Sequence, residues 1–228
     1  MTIFAREDGK FNKFHTYESK HLVKIDCKAT MTAGYIVVVN AIAENAEDYL
    51  LQHGSFVYRV TSDKNVEIAQ KFTFANQNGA KLWLQQQTLF LVFSYDTTTT
   101  SPLNACTVFT LTDTTFNPID DLPCQNARVI EFFTVFHHLM ILIGNYRENN
   151  GTTNAFSTLM RYDLDQKKFV EHQKIFTNAV VVAKYFFLDH QEQRQHFLFI
   201  GNDFELNEYG VINYDVPSMI YRFVNGFF

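Results

Sequence analysis

The chain has 228 residues, enough for one sizeable domain or two small ones with a real core. A net charge of −5 gives no polyanion-binding signature, which argues against nucleic acid as a partner. Aromatic content is high at 16%, with 24 Phe, while only 4 Pro and 9 Gly argue against disorder. No uninterrupted apolar run reaches the roughly 18 residues of a membrane span, so no membrane insertion is expected. The opening "MTIFAREDGKF" lacks the apolar region of a signal peptide. Cys27, Cys106 and Cys124 make an odd set without metal-ligand spacing, and are expected to be buried or half-buried free thiols.

In chain order, "MTIFAR" opens the sequence as a strand. A diverged segment over 14–30 precedes the apolar run "YIVVVN", which ends at Asn40. Residues 43–53 have helical spacing and could form a turn or two of helix. "SFVYRV" follows from Ser55, with Phe56, Tyr58 and Val60 on one face and Val57 and Arg59 on the other. Then come "AQKFTFANQNGAKLWLQ" over 69–85, "LFLVFS" ending at Ser94, and "CTVFTL" from Cys106. The third round is "DDLPCQNARVIEFFTV" over 120–135, "LMILIGN" ending at Asn145, and "STLMRY" from Ser157. The fourth is "HQKIFTNAVVVAKYFFL" over 172–188, "FLFIGN" ending at Asn202, and "SMIYRF" from Ser218.

The motif openings at 55, 106, 157 and 218 are spaced by 51, 51 and 61 residues, and the apolar runs keep the same period. Short strands repeating about every fifty residues predict the blades of a β-propeller. The expected fold is all-β: a partial propeller of about four four-stranded antiparallel blades plus one extra N-terminal strand. The repeats cover about 11–64, 65–115, 116–168 and 169–228, after a leading strand at 1–10, within a single propeller region over 1–228. Each motif is expected to be the closing strand of its blade. Phe4, Tyr58, Phe109, Met160 and Tyr221 share one motif position; the last four are expected to be buried between blades. Arg59, Arg161 and Arg222 recur at the next position, where Thr110 departs, and are expected to bond a carbonyl or carboxylate as structural residues. Arg6 falls where the other copies are apolar.

The frame of Phe169, His172, Gln173, Ile175, Thr177 and Ala179, then Asn202, then Ser218, Ile220, Tyr221, Arg222 and Phe228, resembles the EAR (epilepsy-associated, or EPTP) repeat. The resemblance spans nearly the whole chain and is best in the fourth copy. It implies a propeller, normally of seven blades, in secreted or cell-surface proteins that bind other proteins without catalysis. The chain is accordingly expected to be a non-catalytic extracellular interaction module, a piece of a longer propeller. Its expected partner is a cell-surface receptor or other extracellular protein, and an open arc would also self-associate. An intracellular scaffold propeller, and an enzyme or lectin using the axial face, stand as alternatives.

No catalytic, cofactor-binding or metal-binding residue is expected. His137 and His138 read as a hairpin turn, and Asp120 and Asp121 as a turn before a strand. His190, Glu192 and His196 could mimic a metal site but read as a solvated hairpin tip. Gly-rich phosphate loops, GxSxG and HExxH are missing from the sequence. "NGT" at Asn150 fits the N-glycosylation pattern.

Overall fold

The computed structural model describes residues 2–7, 10–16, 22–40, 54–74, 77–95, 105–148, 151–190, 193–206 and 209–228. The segment 43–53, Asn150 and Glu192 lie outside them. A hairpin of β1 (Thr2–Glu7) and β2 (Lys10–Thr16) comes first. Blade 1 is the meander β3 (Leu22–Ala29), β4 (Ala33–Asn40), β5 (Ser55–Thr61) and β6 (Val66–Phe72). Blade 2 is β7 (Gln77–Gln85), β8 (Thr88–Tyr95), β9 (Ala105–Thr112) and β10 (Thr115–Pro123). Blade 3 is β11 (Ala127–Val135), β12 (His138–Asn145), β13 (Asn154–Asp163) and β14 (Lys168–Asn178). Blade 4 pairs β15 (Val180–His190), β16 (Gln193–Asn202) and β19 (Met219–Arg222). A small pair, β17 (Glu205–Leu206) and β18 (Ile212–Asn213), lies between β16 and β19 in the chain. The fold is an all-β partial propeller.

One expectation changes in phase. In blades 1 to 3 the motif strand is the third, not the last, because a tight turn sends the chain straight back: β5 is followed by β6, β9 by β10 and β13 by β14; in blade 4 the motif strand β19 ends a sheet of three. Short connections favour such antiparallel neighbours. The leading strand β1 likewise pairs with β2. All four hairpins shift register at the same motif position: Ile3/Phe4, Val57/Tyr58, opposite Val108 and Phe109, and Leu159/Met160.

The recurring Asn and Ser bind each other. The backbone N–H of Asn40 donates to Ser55 Oγ at 3.2 Å, that of Asn145 to Ser157 Oγ at 3.2 Å, and that of Asn202 to Ser218 Oγ at 3.3 Å. Their side-chain amides donate to the carbonyl just before that Ser, on Gly54, Phe156 and Pro217. Second and third strands are thus pinned where their loop leaves the sheet. Blade 2 lacks this pair, and its register puts Tyr95, not Ser94, at the Asn position. Here Cys106 takes the place of Ser157 and Cys124 that of Thr177. In blade 3 those two hydroxyls hydrogen-bond at 2.8 Å; in blade 2 the two thiols form a disulfide. The expectation of three free thiols therefore fails for Cys106 and Cys124, which pair because hairpin geometry brings them together. Cys27 is free and exposed.

Three apolar layers fill the spaces between successive blades. Val37, Val57 and Phe72 of blade 1 meet Leu91, Phe93 and Phe109 of blade 2. Val108 and Phe90 meet Phe132 and Met160, and Phe133 and Leu159 meet Leu198 and Ile200, with Tyr221 alongside. Phe109 and Met160 are buried in these layers. Tyr58 is buried with Val38 and Phe56 on the other face of blade 1. The glycines in "IGN" have a local reason. A Cβ on Gly144 would lie 2.9 Å from Val180 Cγ1, and one on Gly201 would lie 2.5 Å from Val182 Cγ1.

A polar clamp also joins neighbouring blades. Gln70 of β6 accepts from the Phe116 N–H at 2.7 Å and donates to the Phe116 carbonyl at 3.1 Å. Gln173 of β14 does the same to Phe228, at 3.0 and 2.7 Å. Asp120, at the equivalent position of β10, accepts from the Phe169 N–H at 2.9 Å. His172 adds a contact to the Gly226 carbonyl at 2.7 Å. Removing such a side chain strands the backbone groups it held. Gln70→Ala should cost about 1–3 kcal/mol, and Phe109→Ala about 3–5 kcal/mol. Ile68→Ala, a half-exposed neighbour in the same strand, should cost under about 0.5 kcal/mol. Urea denaturation of the three variants checks the ranking.

Candidate functional site

The first strands of successive blades, β3, β7, β11 and β15, neighbour one another and line the propeller axis. Each has a register shift just after its opening pair, at Leu22/Lys24, Gln77/Gly79, Ala127/Val129 and Val180/Val182. Counting from that opening residue, the same strand position carries Asp26, Lys81, Glu131 and Lys184 in blades 1 to 4. The four strands enclose one axial cavity of about 200 Å³, lined by these four residues and by Lys24 and Arg128.

The charges alternate from blade to blade and are bonded in pairs. Asp26 accepts the Leu82 backbone N–H at 2.7 Å and lies 3.7 Å from Lys81 Nζ. Glu131 holds Lys184 Nζ at 3.2 Å and accepts the Tyr185 N–H at 3.4 Å. Each acid of an odd-numbered blade therefore grips the Lys, and the residue after it, on the next blade. The Glu131 side chain is only 11% exposed, whereas the Lys184 side chain is 61% exposed. The carboxylate is held inside while its cationic partner reaches solvent.

The recurring arginines lie elsewhere. Arg59 Nη1 pairs across the β5–β6 hairpin with Glu67 at 2.9 Å, which raises its pKa chiefly through that hydrogen bond. Arg161 is half-buried beside Asp163, and Arg222 is exposed on β19. The structure does not bring these arginines together into one site. His137 sits in the β11–β12 turn and His138 begins β12. His196 is buried in β16 with its Nδ1 against the Tyr185 hydroxyl, and burial lowers its pKa. Asp189 is held by Arg194 at 2.9 Å, and that hydrogen bond lowers its pKa. Among the described residues no three His, Cys, Asp or Glu side chains are placed to share a metal ion.

The axial residues Asp26, Lys81, Glu131 and Lys184 were not singled out by the sequence reading. Their signal is nonetheless present: each is a charge at one fixed repeat position of a first strand, with the sign alternating from blade to blade.

No family model matches the sequence, and no curated protein matches it. Solved structures do match the fold. A GH32 β-fructofuranosidase from Bombyx mori superposes with TM-score 0.50 at 8% identity, covering 90% of this chain and 46% of that one. An exo-β-1,3-galactanase from Phanerochaete chrysosporium, solved with β-1,3-galactotriose, gives TM-score 0.50 at 10% identity, covering 90% of this chain and 50% of that one. At these identities the likeness is one of fold, and the chain spans about half the length of either structure. The expectation of a non-catalytic interaction module, and with it of a protein that is no enzyme, is corrected here. Both of these structures are glycoside hydrolases, and of the signature residues Arg59 and the Asn202–Ser218 pair bond within a blade while Gln173 and His172 reach the next.

The axial residues differ in what they support. Asp26→Ala should cost about 1–3 kcal/mol, because the Leu82 N–H loses its acceptor. Lys184→Ala should cost under about 1 kcal/mol, because its pair with Glu131 is largely solvated on the Lys side. Chemical denaturation distinguishes them; equal losses would mean that the two lysine pairs carry the same structural weight.

Proposed function

We propose that this chain forms the glycoside-processing propeller of a carbohydrate-active protein, with the axial cavity as its active site. The observation that carries this reading is the pair of carboxylates, Asp26 and Glu131, at one strand position of alternate blades and lining a single cavity. Hydrolysis of a glycosidic bond generally uses two such groups. One carboxyl protonates the leaving oxygen while the other attacks the anomeric carbon or activates a water. The fold likeness to a β-fructofuranosidase and a galactanase supports the substrate class. Lys184, mostly exposed, is the partner that an incoming sugar hydroxyl displaces at little cost, opening Glu131 to the ligand. Asp26 keeps its Leu82 hydrogen bond and stays oriented.

Glu131→Gln and Asp26→Asn should each lower kcat on a responsive glycoside by about a thousandfold, with little change in melting temperature. Hydrolysis of an aryl-glycoside and oligosaccharide panel checks this. The reading fails if no glycoside is cleaved by the wild type, or if both variants cleave as well as it does.

A secreted or cell-surface location goes with this proposal. The Cys106–Cys124 disulfide supports it, since such bonds persist in oxidising compartments. So does the EAR-like signature, whose Gln and His residues serve here as blade clamps. Protein recovered from its source without reductant should leave Cys106 and Cys124 unlabelled by iodoacetamide while Cys27 reacts. Labelling of all three would place the chain in a reducing compartment.

A further inference from the structure

We infer that the axial site takes an anionic saccharide, one bearing a carboxylate or sulfate on the ring that enters the cavity; this rests on the axial cavity being the glycoside site proposed above. Four cations and two acids line that cavity, in a chain whose overall charge is negative. Lys81 and Lys184 pair with Asp26 and Glu131. Lys24 and Arg128 remain, and among the described residues neither faces a protein carboxylate within ion-pair distance. The cavity thus holds a surplus of positive charge opposite in sign to the rest of the protein.

Arg128 is built for recognition. It sits in the register shift between Ala127 and Val129, where its strand turns out of the regular ladder. Its guanidinium lies 3.5 Å from the centre of the Tyr146 ring. Contact with the ring holds the guanidinium in place, and among the described residues it faces no carboxylate, so its paired N–H donors can grip a carboxylate or sulfate by two parallel hydrogen bonds. Lys24, on the neighbouring inner strand β3, adds a flexible point charge to the same cavity. Field lines converge in a low-dielectric cleft, so the surplus acts there more strongly than on open surface. The cavity's size suits a single sugar ring more than a folded partner.

The test is a glycan array carrying neutral, uronic acid-containing, sialylated and sulfated oligosaccharides, probed with the full chain. Calorimetry then compares the best acidic ligand with its methyl ester or desulfated form. The acidic form should bind about tenfold tighter, and the advantage should shrink as salt rises from 0.05 to about 0.5 M. Arg128→Gln should bring the acid-to-neutral ratio close to one. Lys174→Gln, the same charge change on the outer strand of blade 3, should leave the ratio as it was. Equal binding of acidic and neutral forms overturns the inference while leaving glycoside recognition standing. If no glycan of any class binds, both fall. A ratio lost equally in the Arg128 and Lys174 variants also overturns it, because overall charge and not the axial site would then be responsible.

Discussion

One kind of contact underlies the whole assembly: a side chain on one blade satisfying the backbone of the next. A four-stranded sheet pairs its own strands but leaves groups at its margins, and buried groups of this kind must find partners. Gln70, Asp120 and Gln173 supply them at three successive blade junctions, reaching Phe116, Phe169 and Phe228 of the next blade. Apolar burial drives blades together but does not by itself set their register. The amide of Gln, which donates and accepts at once, fixes a neighbour to within one residue. Asp120 can only accept, and accordingly binds the N–H of Phe169 alone.

The same logic operates at the axis with charge. Asp26 and Glu131 each take a backbone N–H from the next blade and a Lys from the same strand. These bonds tie blade 1 to blade 2 and blade 3 to blade 4, so the chain behaves at its centre as two related pairs. The arrangement has a second consequence. Structural acids that hold blades together also present carboxylates to the axial cavity.

Blade 2 illustrates how one position can keep its geometry while its chemistry changes. The Ser157–Thr177 hydroxyl pair of blade 3 becomes the Cys106–Cys124 disulfide. Both span the same two strands where the outer hairpin leaves the sheet. A covalent bond across an 18-residue separation constrains the unfolded chain as a hydrogen bond does not.

The repeat period, the all-β class and the motif strands were legible in the residues, because alternation and continuous apolar runs are local patterns that strands impose on their own sequence. Asn and Ser landmarks were visible too, though not that they bond each other. Three matters belonged to the tertiary structure alone. Which strand closes a blade depends on pairing across a turn, and a repeat read on a line has no marked beginning. The Cys106–Cys124 bond depends on two residues meeting across a hairpin, which spacing does not reveal. The axial ring depends on four strands converging from positions some fifty residues apart. A charge at one position of a strand is ordinary in sequence; only the convergence of the four first strands brings four of them to one cavity.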